Sequence, residues 1–207
     1  MKGKFITIEG GEGAGKSTMM DRLADWLESH GHSVVRTREP GGTVLAEKIR
    51  AILLDDRHEE LSSQSELLLV FASRAQHLEE LIRPALARGD TVLCDRFTDA
   101  SWAYQGGGRQ MPLEWIAALE QMVHNDLQPD LTLLLDLPVE QGLKRVSRRG
   151  EADRFEQESM KFFRRVRQAY LARAKSNGRR FEIIDASGDM AQVWSQIESV
   201  LERRIGQ

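Results

Sequence analysis

Five short apolar runs punctuate the chain: Phe5–Glu9, Val34–Thr37, Thr91–Asp95, Leu131–Leu137 and Phe181–Asp185. None alternates cleanly between apolar and polar, and Ile, Val and Leu dominate them, as in strands covered on both faces. Between the runs, apolar residues recur at helical spacing. Leu23, Trp26 and Leu27 mark one helix, and Leu67, Phe71, Leu78, Leu81, Ile82 and Ala85 a long middle one; Trp194, Ile197, Val200 and Leu201 mark the last. Strands alternating with helices predict parallel pairing through right-handed crossovers. The fold class is α/β, a three-layer sandwich around a five-stranded parallel sheet. Such sheets bind ligands beyond the carboxyl ends of their strands, so the residues just after each strand carry the chemistry.

Directly after the first run, Gly10-Gly11-Glu12-Gly13-Ala14-Gly15-Lys16-Ser17 satisfies G-x-x-x-x-G-K-[ST] at every fixed position, between a strand and a helix. Glycines let backbone N–H groups turn inward around phosphate oxygens, and the helix N-terminus adds favourable partial charge. Lys16 suits the β- and γ-phosphates, and the Ser17 hydroxyl suits Mg²⁺. Gly10, Gly11, Glu12, Gly13, Ala14, Gly15, Lys16, Ser17 and Thr18 are thus expected to bind a nucleoside triphosphate. After the third run stand Asp95, a second Mg²⁺-directed carboxylate, and Arg96, a planar cation suited to phosphate. Asp136 is a rival acid at the end of the fourth run.

Composition narrows the field. At 207 residues, 41% hydrophobic and 29% charged, one soluble domain spanning 1–207 is expected. No stretch approaches the ~18 apolar residues of a membrane span, and the N-terminal run is too short for a signal peptide. The lone Cys94 excludes a disulfide framework and reads as a small buried hydrophobe. The five histidines lack ligand spacing. The expectation is a cytoplasmic protein without membrane or nucleic-acid partners. The net charge of −3 hides thirteen Lys or Arg between Lys144 and Arg180, against four acids. That stretch is either a solvated helix face or the approach of a polyanion.

Three phosphate-loop classes compete. A GTPase would need N-K-x-D, which does not occur; Asp185-Ala186-Ser187-Gly188 fits D-x-x-G only formally, after the last strand. A nucleic-acid-stimulated ATPase would explain the basic segment, but thirteen aromatics leave no evident stacking surface. A small-molecule kinase fits the size best. Glu9–Thr18, Thr37-Arg38-Glu39-Pro40-Gly41-Gly42-Thr43, Asp95-Arg96-Phe97 and Ala103-Tyr104-Gln105-Gly106-Gly107-Gly108-Arg109 together resemble the bacterial thymidylate kinases. Leu143-Lys144-Arg145, Arg149-Gly150-Glu151 and Asp153-Arg154-Phe155-Glu156 resemble that family's lid, placing it at about 142–156. The resemblance covers nearly the whole chain in order. It implies the nucleoside monophosphate kinase fold, the reaction ATP + dTMP → ADP + dTDP with Mg²⁺, and a homodimer. A deoxynucleoside kinase, acting on a neutral hydroxyl, and a nucleic-acid-stimulated ATPase are the alternatives.

The resemblance also implies an acceptor site. Phe71 and Arg74, three apart, share a helix face. Arg74 would read the thymine edge, and Phe71 would either stack on the base or belong to the core, since the family's usual aromatic position is Val70 here. Ser101, Tyr104 and Gln105 resemble base- and sugar-contacting residues; Gln105 can both donate and accept. Arg50 and Arg96 resemble ligands of the acceptor's 5′-phosphate. Glu39 lies near the junction of the two sites with no derivable role, and Glu12 suits the acceptor's 3′-hydroxyl. Because Glu12 occupies a loop position where some kinases place a cation, the balancing charge is expected from the lid. Arg149 comes first and Arg154 second, with Arg148 toward solvent; such a finger is worth ~10³–10⁵ in rate.

Overall fold

The computed structural model describes residues 3–206 except 56–60, 125–126, 148–153 and 157. Strands β1 (Phe5–Gly10), β2 (Val34–Arg38), β3 (Thr91–Asp95), β4 (Leu131–Asp136) and β5 (Phe181–Asp185) form one parallel sheet in the order β2-β3-β1-β4-β5. All four pairings are parallel, with Ile8 opposite Asp95 and Gly10 opposite Leu135. Every residue of central β1 is buried, which explains why its sequence does not alternate.

Two apolar layers flank the sheet, sorted by the strand period of two. Ile6, Ile8, Leu93, Leu133 and Leu135 face α1 (Lys16–Ser29) and α9 (Met190–Arg204), packing with Leu23, Leu27, Ile197 and Leu201. On the other face, Phe5, Val92 and Cys94 meet Leu78, Ile82 and Phe97, while Leu134 meets α8 (Met160–Ser176) through Phe162, Val166 and Tyr170.

The middle helix is as long as its spacing indicates. α3 (Ser63–His77) passes through a π turn, Leu78–Ile82, into α4 (Arg83–Arg88). Pro84, which lacks an N–H to donate, follows that widened turn. α2 (Val44–Leu54) starts at Thr43, whose side chain accepts from the Ala46 N–H. The short α5 (Thr98–Ser101) continues into a π-helical segment, Trp102–Gly108, before α6 (Leu113–Val123); α7 (Val139–Val146) follows β4. The triple glycine of that π-helical segment is a packing device. A Cβ at Gly107 would lie 2.5 Å from the Ala169 Cβ, and one at Gly108 would lie 2.5 Å from the Phe162 ring, both on α8.

Candidate active site

The phosphate loop leaves β1 and ends at α1. Gly13 and Gly15 take φ of +70° and +89°, values costly for other residues. Lys16, the first residue of α1, folds back over the loop, and its Nζ donates to the Gly10 and Gly11 carbonyls at 3.1 Å each. Burial pushes the Lys16 ammonium below its usual pKa and nearby Arg96 adds to the effect, against the opposing charges of Glu12, Asp95 and Glu9.

Across from the loop, β3 ends in Asp95, and Arg96 turns the chain with φ +68°, a left-handed conformation that arginine rarely adopts. Hydrogen bonds on every side enforce it. Arg96 N–H donates to the Ile8 carbonyl at 3.0 Å, and Phe97 N–H to Glu9 Oε1 at 2.7 Å. The guanidinium donates to the Gly10 carbonyl (3.0 Å) and Glu12 Oε1 (2.6 Å), and lies 4.8 Å over the Tyr104 ring. Strain of this kind persists only where the surroundings over-determine it, and it marks functional positions.

Two carboxylates beside this turn titrate in opposite directions. Burial alone would raise Glu12, but Arg96 and Lys16 outweigh it, aided by the Tyr104 hydroxyl at 2.6 Å, and hold it at about 2. Glu9 is fully buried; desolvation and the charge of Asp99 push it up to about 8, despite the Tyr170 hydroxyl donating to Oε2 at 2.7 Å.

The two strand-end acids differ in their partners. Asp136 is held by Arg167 through two hydrogen bonds, Nε–Oδ1 2.7 Å and Nη2–Oδ2 2.9 Å. Asp95 Oδ1 is buried without a hydrogen bond among the described residues and lines the cavity that also contains Ser17. A carboxylate with an unused oxygen and a hydroxyl fit Mg²⁺, a hard cation that takes its remaining ligands from phosphates and water.

That cavity, of ≈ 250 Å³, runs from the loop to the end of α3. Of the residues singled out in the sequence, Glu12, Gly13, Ala14, Gly15, Lys16, Ser17, Glu39, Arg50, Arg74, Asp95, Arg96, Ser101, Tyr104 and Gln105 line it. Gly10, Gly11 and Thr18 lie off its wall. Glu39, without a role in the sequence reading, anchors the far end. Its Oε2 accepts from Arg74 Nε at 2.7 Å, and its Oε1 pairs with His77 Nδ1 at 3.0 Å. Burial would raise Glu39, but Arg74 and His77 hold it below the usual carboxylate range. Arg74 Nη2 donates to the Phe97 carbonyl (3.2 Å) and Ser101 Oγ (3.1 Å); Nη1 is buried with no partner among the described residues. Arg50 donates to the Pro40 carbonyl at 2.8 Å.

Two expectations need correction. Phe71 does not face the cavity. It packs in the core with Leu67, Met111 and Ile116, its ring 4.5 Å from the Arg74 guanidinium, and Val70 lines the cavity instead. Successive helix residues point about 100° apart, so a one-residue difference decides which faces the ligand. Arg154 is not aimed at the phosphate loop: its Nη2 donates to Glu66 Oε2 at 2.6 Å and its Nε to the Leu53 carbonyl at 2.8 Å. Arg149 and Arg148 lie outside the described residues. From the segment expected to be a lid, Phe155 and Glu156 line the cavity. The sequence reading named Phe155, Glu156, Val70 and Glu9 only within motifs, giving none of them a place in the site, and missed Glu66 and Tyr170 altogether. Val70 carried a signal as the position where the family places its aromatic residue, and Glu9 as an acid ending a buried strand.

A phosphate loop facing an arginine-lined cavity, at the carboxyl edge of a 2-3-1-4-5 parallel sheet, defines a P-loop nucleoside monophosphate kinase fold. The thymidylate kinase family model matches residues 8–197, and the chain belongs to that family. It is 59% identical over 201 residues to a thymidylate kinase of Pseudomonas putida (strain F1), covering 97% of this chain and 96% of that one. A thymidylate kinase of Ectopseudomonas mendocina is 58% identical over the same shares. The crystal structure of thymidylate kinase from Ehrlichia chaffeensis superimposes with a TM-score of 0.81 at 34% identity, covering 98% of this chain and 99% of that one.

Proposed function

We infer that this chain transfers the γ-phosphoryl group of ATP to dTMP, giving ADP and dTDP, and that the cavity described above is where the acceptor sits. The observation that carries the site assignment is a pair of unpartnered buried atoms on one cavity, the donor Arg74 Nη1 and the acceptor Asp95 Oδ1. Buried polar atoms without partners are costly, and a base carbonyl and a hydrated cation are groups that would satisfy them. Arg74 and Gln105 read the pyrimidine edge, with Val70 against its face and Ser101 and Tyr104 beside them. Arg96 and Arg50 hold the 5′-phosphate, and Glu12, kept ionised by Arg96 and Lys16, accepts from the sugar hydroxyl. Lys16 lies against the β- and γ-phosphates. Catalysis then rests on positioning and charge, as phosphoryl transfer requires. Ser17 and Asp95 would hold Mg²⁺, which supplies neutralisation of the transferring group when bound.

The chain acts as one domain with residues 142–156 as its lid, a reading supported by Phe155 and Glu156 on the cavity wall. A homodimer is supported by surface chemistry. Val44, Leu45 and Ile52 on α2, Leu68 on α3, and Leu113, Trp115 and Met122 on α6 make up seven of the nine large apolar side chains exposed among the described residues. α2 packs on α3 and α3 on α6, so these residues sit on three adjacent helices. No helix of the described residues is long and apolar enough to cross a membrane; a cytoplasmic setting fits the buried free thiol of Cys94 and the use of ATP. The test is ADP release measured across dTMP, dUMP, dCMP, dGMP and thymidine. The fastest turnover is expected with dTMP; equal turnover of thymidine would overturn the reading of Arg50 and Arg96.

A further inference from the structure

Among the described residues outside the phosphate site, the most heavily bonded acid is Glu66 on α3, whose side chain is fully buried. Its Oε1 accepts from Gln105 Nε2 at 2.8 Å. Its Oε2 accepts from Arg154 Nη2 at 2.6 Å and Arg109 Nη2 at 3.1 Å. Three side chains from two other stretches of chain thus converge on one carboxylate that the reaction does not use. The chemical consequence falls on Gln105. A side-chain amide can present either its C=O or its NH₂ to a neighbour, and nothing in the amide itself chooses. A carboxylate paired with two guanidinium groups only accepts, so the amide nitrogen must turn toward Glu66. Gln105 Oε1 carries no hydrogen bond among the described residues and belongs to a side chain lining the acceptor cavity.

We propose that Glu66 is a specificity-positioning residue: it locks the Gln105 amide so that the cavity receives a carbonyl acceptor, which selects a pyrimidine bearing N3–H over cytosine, whose N3 accepts. The unpartnered Arg74 Nη1 on the same cavity completes the pattern, as a donor for a base carbonyl. This rests on the reading of Gln105 as a base contact. Arg109 and Arg154 donate to the same carboxylate and thereby hold it in place to keep the lock closed. No contact between Glu66 and the substrate is required.

The experiment compares kcat/KM for dTMP and for dCMP in the wild-type enzyme, Glu66→Gln, Glu66→Asp, Arg154→Met and Gln105→Met. Glu66→Gln keeps the volume but can also donate, so the Gln105 amide is free to turn over. Glu66→Asp keeps the charge but draws back from Gln105. Both should narrow the dTMP/dCMP ratio by about tenfold or more, mainly through KM for the monophosphate, with KM for ATP unchanged. Arg154→Met leaves Glu66 paired to Arg109, and its ratio should move by less than about threefold. A ratio that changes in Gln105→Met but in neither Glu66 variant overturns the lock and spares the base contact. A ratio unchanged in Gln105→Met overturns the base contact itself. If both Glu66 variants fail to fold, the wild-type enzyme decides, by NMR of ¹⁵N-glutamine. The lock requires one downfield, exchange-protected Gln105 amide proton, identified by its loss in Gln105→Met; averaged, rapidly exchanging protons would overturn it.

Discussion

The two ends of the cavity are built by different means. At the phosphate end, contiguous backbone does most of the work: carbonyls of Gly10 and Gly11, the first turn of α1, and a turn at Arg96 pinned to β1. At the base end, side chains hold one another across the fold. Glu39 grips Arg74 and His77 thirty-five and thirty-eight residues away, and Glu66 grips Gln105 at thirty-nine. The first construction tolerates changes in its surroundings because local chain geometry sets it. The second is only as accurate as its buried ion pairs, which are strongly destabilised when one partner is lost.

Substitutions can break this contrast at either end. The largest effect is expected for Lys16→Ala, a loss of about 10²–10³ or more in kcat with the Tm nearly kept, measured by ADP release and thermal melting. Arg74→Met should raise KM for dTMP by about 10²-fold while KM for ATP stays within about twofold. Because it also strands Glu39, it should lower the Tm where Lys16→Ala does not; equal Tm values would erase the distinction between the two ends. Next come Val70 and Phe71, neighbours with opposite duties. Phe71→Leu should cost about 1–2 kcal/mol of stability by denaturant unfolding. Val70→Ala should cost less but raise KM for dTMP about three- to tenfold. The reverse ranking would put Phe71 back in the site.

A further contrast lies in a pH slope. Glu9 stands at about 8 in the fold against an ordinary 4.5, so between those values the folded chain keeps a proton that the unfolded chain releases. Stability therefore falls as pH rises through that window. Glu9→Gln, neutral throughout, removes this contribution, and its Tm relative to wild type should climb from about pH 5 to about pH 8. A flat difference would show that Glu9 is ionised beneath Tyr170 and Phe97.

What could be read in the sequence follows the same division. The strands, the loop and the Asp95-Arg96 turn were legible because each is a local pattern with a local cause. Arg74, Ser101 and Gln105 were legible only through family resemblance, since no spacing rule brings α3 against the segment after β3. Glu66 was invisible, for its meaning lies in partners at 105, 109 and 154. The Phe71 reading shows the limit from another side. Helical periodicity placed it on an apolar face, but both the core and the cavity lie on apolar faces of α3. Arg154 was drawn toward the phosphates by its place in the segment that resembles the lid, while its ion pair with buried Glu66 holds it elsewhere.

The glycines of the π-helical segment carry a consequence for time rather than shape. A π turn has poorer internal bonding than an α-helix, and alone it would breathe. With Gly107 against Ala169 and Gly108 against Phe162, Trp102–Gly108 and α8 meet almost backbone to backbone, and any opening of one must separate both. Amide protons of residues 104–108 should then exchange with solvent at the slow pace of β1, in the same cooperative unit. Tyr104 and Gln105 are in that case fixtures over many turnovers. The wall they form is a stator, against which the rest of the catalytic cycle moves.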